Sequence, residues 1–167
     1  HGAISQTSAV ADTTDPAAVV DGRDWTRPGW FDAACNWIES SMREAALGAP
    51  FEIRQRRSWV SSCVLQVRAG SGDYYFKALP RSGRGEWAVT RFLADQFANM
   101  LPAVVAVEPE HRWLLLTACT GHNLETVPDV ALWERAAHAY GRLQVACSDR
   151  VDALVRGVDR FAVRRVL

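Results

Sequence analysis

Asp73-Tyr-Tyr-Phe-Lys-Ala-Leu-Pro80 and, close behind it, Gly85-Glu-Trp-Ala-Val-Thr-Arg-Phe-Leu93 decide how this chain is read. The first segment is rich in aromatic residues, as strands are, and carries Lys77 near its end. In an extended chain Lys77 shares a face with Tyr75 and Leu79, so its surroundings are apolar. The second segment has helical spacing: Val89, Phe92, Leu93 and Phe97 form the predicted apolar face of a helix from about Gly85 to Asn99. Glu86 lies three residues before Val89 and seven before Leu93, which puts it on the predicted buried side. An ammonium in an apolar site is costly without a partner, and a carboxylate turned toward a sheet needs a cation. Taken singly, each residue has a simpler reading: Lys77 reaches water along its apolar stem and Glu86 decorates a helix start. Taken together, they predict an ion pair between a strand and the helix that follows it.

Upstream, Ser61 to Arg68 alternates in polarity and joins the Lys77 strand through Ala69-Gly-Ser-Gly-Asp73, a hairpin signal. Phe51 to Arg57 alternates weakly and precedes this pair, so three successive antiparallel strands are expected. Beyond the helix, Pro102 to Val107 and Arg112 to Thr117 read as two more strands, with a turn at Pro109-Glu110. The order strand-strand-strand-helix-strand-strand specifies an α+β fold, a five-stranded antiparallel sheet with one packed helix. An N-terminal helix precedes it. Phe31, Ala34, Ile38, Met42 and Ala45 recur at helical spacing, Asp32 suits the first turn, and Gly48 and Pro50 end the helix after Leu47.

The ends differ in character. Residues 1–24 are small and polar and read as a flexible tail, with order beginning near Trp25. Residues 25–117 form the sheet unit and 118–127 a hinge or linker. Residues 128–167 are helical, with Trp133, Ala136, Tyr140, Leu143 and Cys147 as one stripe. A shorter helical segment covers Val151 to Val155. Gly157 is expected to interrupt it, and Asp159 to cap a last segment from Arg160 to Leu167. No internal repeat is present.

Composition excludes several classes. In 167 residues, Lys+Arg and Asp+Glu both number 19, so net charge points to no polyanionic partner. Arg54, Arg56, Arg57, Arg81 and Arg84 cluster locally and read as solvated strand and turn faces or, in a sharper alternative, as a phosphate-facing patch; no nucleic-acid motif accompanies them. Cys35, Cys63, Cys119 and Cys147 form no CxxC motif and fit reduced, structural cysteines of a cytoplasmic protein. His1, His111, His122 and His138 have no ligand spacing, so no metal site is expected. No apolar run has the length of a membrane span, and no signal peptide is recognisable.

Two further segments are candidates for binding. The turn Arg57-Ser-Trp-Val-Ser-Ser-Cys63 is not a G-x-G-x-x-G loop. Ser61 and Ser62 could still offer hydroxyls and backbone N–H groups to a phosphate; the equal alternative is an ordinary hairpin turn with Trp59 in the core. Leu116, Thr117 and Cys119 end the apolar strand Trp113-Leu-Leu-Leu-Thr117 and enter the connector, where a purine would find backbone donors and acceptors. Leu114 and Leu115 read as plain core.

These segments, in this order, resemble the N-terminal part of the aminoglycoside phosphotransferase family, which has a protein-kinase-like fold. The resemblance runs from about Trp25 to Leu167. It rests on Trp37-Ile38, Trp59-Val-Ser-Ser-Cys-Val-Leu-Gln-Val67, Tyr75-Phe-Lys-Ala-Leu-Pro80, Glu86 with Val89-Thr90 and Leu93-Ala94, Trp113 to Leu116, Tyr140-Gly-Arg-Leu-Gln144 and Leu154 to Arg160. The resemblance implies that Lys77 contacts nucleotide phosphates, that Glu86 orients it, and that Leu116 to Cys119 is the hinge meeting adenine. Where the family often has an Asp and paired glycines after the hinge, Ala118, Thr120 and Gly121 stand.

The same resemblance implies an ATP- or GTP-dependent phosphorylation of a hydroxyl on a small-molecule acceptor, with Mg expected only in a full-length parent. The family's catalytic loop has no counterpart here, and His-Gly-Asp occurs nowhere in the 167 residues. The expectation is therefore a truncated nucleotide-binding part, a kinase-like N-lobe with the first helices of a C-lobe. It would contain no catalytic residue and be inactive alone, because metal ions and a base carry much of phosphoryl transfer. Turnover by this chain would point instead to Asp149, Asp152 and Asp159 as a non-standard metal site. The alternative class is a non-catalytic α+β interaction module that kept the lobe and lost the site. In either case the stripe in 128–167 is expected to seek a partner, and a homodimer through these residues follows.

Overall fold

The structure, a computed structural model, describes residues 23–81, 85–121 and 124–162, with side chains as far as Arg156. The expected tail lies outside these residues except at its end. There Asp24 already belongs to the fold, opening a single 3-10 turn, Asp24–Thr26.

Helix α1, Trp30–Glu44, is followed by strands β1 (Pro50–Ser58), β2 (Cys63–Ala69) and β3 (Gly72–Ala78). Helix α2, Glu86–Gln96, comes next, then β4 (Val104–Glu108) and β5 (Trp113–Thr117). A 3-10 turn at Leu124–Thr126 leads into helices α3 (Val130–Ser148) and α4 (Val151–Ala162). The five strands make one antiparallel sheet in the order β1-β2-β3-β5-β4, so the Lys77 strand is central. The α+β architecture read from the sequence is the one observed. The weak alternation of the first strand has a local cause: register shifts between Pro50 and Glu52 and between Gln55 and Arg57.

The pleat sends neighbouring rows to opposite faces. Leu65, Phe76 and Leu115 pair in one row, and Val64, Lys77 and Leu114 in the next. The Phe76 face is closed by α1, whose Trp30, Ala34, Ile38 and Met42 join it in one buried cluster. Phe76 and Trp113 have ring centroids 5.5 Å apart, and Trp30 and Trp37 approach Phe76 at 6.0 and 5.8 Å. The opposite face has a smaller core, Leu79, Trp87, Ala88 and Leu114, with Val104, Val107 and Leu116 packed against it.

Helix α2 buries Trp87, Ala88 and Ala94, whereas Val89, Phe92, Leu93 and Phe97 are only half-buried. This corrects the predicted face. The physical reason is that α2 has two neighbours: it touches β4 on one side and α4 on another, so its apolar residues divide between them. The expected break at Gly157 is also corrected, because α4 runs unbroken through it. One interior glycine costs a helix only about 1 kcal/mol relative to alanine, which packing against α2 can offset. Of the expected segment Arg160–Leu167, residues 163–167 lie outside the described ones.

The carboxylate of Asp129 caps α3, accepting from the N–H groups of Ala131 and Leu132 at 2.9 and 3.4 Å. No residue of α3 is buried. Along its stripe Trp133 and Tyr140 are 50% and 63% exposed, and Ala136, Leu143 and Cys147 are half-buried. No helix among the described residues is long and apolar enough to cross a membrane.

An arginine clamp ties the start of the fold to the β4–β5 turn. Arg112 is only 7% exposed. Its guanidinium donates to the carbonyls of Leu79 (3.3 Å) and Glu110 (3.1 Å) and to Asp24 Oδ2 (2.9 Å). Its backbone has φ +56°, a left-handed conformation uncommon outside glycine, and these bonds hold it there.

Candidate functional site

Lys77 sits on β3 between Val64 of β2 and Leu114 of β5, on the less covered face of the sheet. Gly85, whose φ of +95° is the left-handed region that favours glycine, precedes α2, which starts at the next residue. Glu86 is therefore the first residue of α2, where a carboxylate also complements the helix dipole. Its Oε1 accepts a hydrogen bond from Lys77 Nζ, so the ion pair expected from the sequence is formed. Its setting differs from expectation. Glu86 is not on the buried side of α2: the Lys77 and Glu86 side chains are 31% and 46% exposed. The pair lies at a rim, reached from water, rather than inside the core.

That rim borders a cleft of about 850 Å³. Trp25, Ser58, Trp59, Ser61, Pro80 and Glu86 are among its walls. Ser61 thus lines the same cleft as Glu86. Ser62 does not line the cleft; its carbonyl accepts the N–H of Trp59 at 2.9 Å and closes the β1–β2 turn. The turn is an ordinary hairpin connection in that respect, but Trp59 is 58% exposed rather than in the core. The guanidinium of Arg57 lies 4.6 Å from the Trp59 ring centroid and also pairs with Glu125 at 3.4 Å, linking β1 to the connector.

Leu116, Thr117 and Cys119 stand apart from this cleft. Leu116 pairs with Tyr75 and Val104 and packs against the Leu79 core. Thr117 is tied to Ala103 twice, its N–H donating to the carbonyl at 3.0 Å and its Oγ1 accepting from the N–H at 2.9 Å. The next N–H, of Ala118, donates to the carbonyl of Asp73 at 2.9 Å. Cys119 is exposed.

Thiol chemistry is not favoured at the buried cysteines. Burial pushes the Cys63 thiol up to about 12, and burial with the nearby Glu39 and Asp32 carboxylates pushes Cys35 up to about 11. Both stay protonated and non-nucleophilic at neutral pH. Among the described residues no three His, Cys, Asp or Glu side chains come together as metal ligands. The cleft is lined by the Ser61 hydroxyl, by the aromatic side chains of Trp25 and Trp59 and by Glu86, the partner of Lys77. Sequence reasoning reached Lys77, Glu86 and Ser61. It missed Trp25 and Pro80, because only the packing of the Asp24–Thr26 turn near the β1–β2 turn makes them walls of one space. No protein-family model matches the chain, and no curated protein matches it.

Proposed function

We propose that this chain is the nucleotide-binding lobe of a kinase-like small-molecule phosphotransferase, as its resemblance to the aminoglycoside phosphotransferase family implies. The observation that carries the reading is the Lys77–Glu86 ion pair, between the central strand and the first residue of the helix that follows it. In this reading Glu86 holds the Lys77 ammonium at the rim of the cleft, and the phosphates of ATP or GTP take it as a charge partner. Ser61 lies on the same cleft and offers its hydroxyl. The acceptor is a small-molecule hydroxyl, with Mg neutralising the phosphates.

Titration with a fluorescent ATP analogue tests this. Saturable binding by the wild-type chain, lost in Lys77→Ala, is expected. Equal binding by both proteins, or none by either, removes the reading.

The exposed apolar face of α3 favours a second reading, an α+β interaction module. Trp133 and Tyr140, seven residues apart, are both exposed there. In that case the chain pairs with a second copy through 128–167 and is indifferent to nucleotide.

A further inference from the structure

We infer that Arg57 is a second cation for the anionic group that Lys77 receives, and that Glu125 holds its guanidinium until a ligand takes it. The inference rests on the nucleotide reading and leaves the base at Leu116 to Cys119. It narrows the phosphate-facing patch read in the sequence to one residue.

Two sets of observations carry it. The first is register. Arg57, Val64, Lys77 and Leu114 stand in one row across β1, β2, β3 and β5. Arg54, Gln66, Tyr75 and Leu116 form the next row on the same face. Strict alternation from Arg54 would put Arg56 on this face and Arg57 on the other; the register shift between Gln55 and Arg57 reverses that. The backbones of Arg57 and Lys77 are two strand spacings apart, roughly 10 Å, a span that two long side chains close around one phosphate chain. The core on this face, Leu79, Trp87, Ala88 and Leu114 with the residues packed on it, includes no residue of β1 or β2. Val64, Gln66 and Tyr75 are only half-buried, and Arg54 is exposed.

The second set is contacts. The Arg57 guanidinium lies on the Trp59 ring, and Trp59 lines the cleft that Glu86, the partner of Lys77, lines as well. Packing on the indole uses the flat face of the guanidinium and leaves its in-plane N–H donors to oxygen acceptors. Arg57 Nη2 donates to Glu125 Oε2 at 3.4 Å, in a pair whose side chains are 48% and 71% exposed. A pair so exposed is weak, and a polyphosphate, which carries several charges, competes for the same donors. The neighbouring arginines are engaged elsewhere: Arg81 lies 3.9 Å from Asp24, and Arg68 pairs with Glu52 and Asp73. Arg84 lies outside the described residues.

Calorimetric titration of the whole chain with ATP and, separately, with inorganic tripolyphosphate tests this. Arg57→Ala should weaken both about tenfold or more, as for loss of a hydrogen bond to a charged group, and Arg57→Lys should restore part of the loss. Glu125→Gln should tighten both about two- to fivefold, because it frees the guanidinium. The opposite signs separate ligand binding from a structural role: an ion pair that merely fixed the connector would weaken ATP when either partner is removed. If Arg57→Ala binds ATP as the wild type does, in a Lys77-dependent way, Arg57 is not a ligand while the nucleotide reading stands. Weaker binding in Glu125→Gln, or shifts confined to ATP, likewise overturn the inference. A wild-type chain that binds neither ligand overturns both.

Discussion

The two faces of the central sheet are built from alternating residues of the same strands, yet they differ in kind. On one face Phe76, Leu65 and Leu115 meet α1 and an aromatic cluster, and water is excluded. On the other, one residue along each strand, Lys77 sits between Val64 and Leu114, only partly covered by α2. Burial on the first face stabilises the fold by the removal of apolar surface from water. The second face keeps a charge at a rim, partly exposed to water, where it contributes little to stability. The sealed core and the site proposed for binding are thereby one step of the pleat apart, and substitutions on the two faces should divide in the same way.

The largest effect is expected on the sealed face. Phe76→Ala removes a fully buried ring touching Trp30, Trp37 and Trp113. It should lower the free energy of unfolding by about 3–5 kcal/mol, read from urea melts. A loss below about 1 kcal/mol would mean that this face is not the main core.

Next comes the clamp between Asp24 and the β4–β5 turn. Asp24→Ala removes the carboxylate that accepts from the buried Arg112 guanidinium and that also lies 3.6 and 3.9 Å from Arg27 and Arg81. A cost of about 1–3 kcal/mol is expected, as for a buried group losing one partner. Unchanged stability would show that the 3-10 turn is not held by this bond.

The sealed face should also carry a pH signature. A cysteine thiol ordinarily ionises at 9.0, but Cys63 does so only at about 12 in the fold, because burial disfavours the thiolate. Above the lower value the unfolded chain loses a proton that the folded chain keeps, so stability falls as pH rises between them. Below it, this group adds no slope. Cys35, shifted to about 11, acts in the same direction. Urea melts across the alkaline range should show a decline that is shallower in Cys63→Ala; an identical slope would place the thiol outside the core.

The open face should respond weakly in stability and strongly in binding. Lys77→Ala breaks a part-exposed ion pair, worth under about 1 kcal/mol, and under the proposed nucleotide reading should abolish binding of an ATP analogue. A stability loss as large as that of Phe76→Ala would make Lys77 a structural residue and blur the distinction between the faces.

The smallest effect is expected on α3. Trp133→Ser should change the stability of the isolated chain by no more than about 0.5 kcal/mol, because the indole is half exposed. Light scattering provides the sharper measurement. A dimer in the wild type that dissociates in Trp133→Ser supports self-association through 128–167, and a monomer at high concentration removes it.

How much of this was legible follows from the range over which each signal acts. Strand periodicity, the Gly70-Ser71 turn and the succession of elements are local, and the sheet, α1 and the order around α2 follow from them. So does the approach of Lys77 to Glu86, since a strand and the helix after it are neighbours in the chain. The depth of that pair was not legible. Glu86 lies at a rim because α2 begins one residue after a left-handed glycine and turns Trp87 and Ala88, not the residues spaced from Glu86, toward the sheet. The face of α2 was misread because α4, more than fifty residues later, takes part of it. For the same reason Gly157 reads as a break in isolation and is carried through by packing. The cleft lay furthest from sequence reasoning: Trp25, Trp59 and Pro80 share a space only once the first turn, the β1–β2 turn and the end of β3 have converged. The sequence by itself determined which elements form and which charges are neighbours, because those depend on local spacing. Tertiary structure alone decided which faces are sealed and which remain open, because burial depends on what else in the chain arrives to cover them.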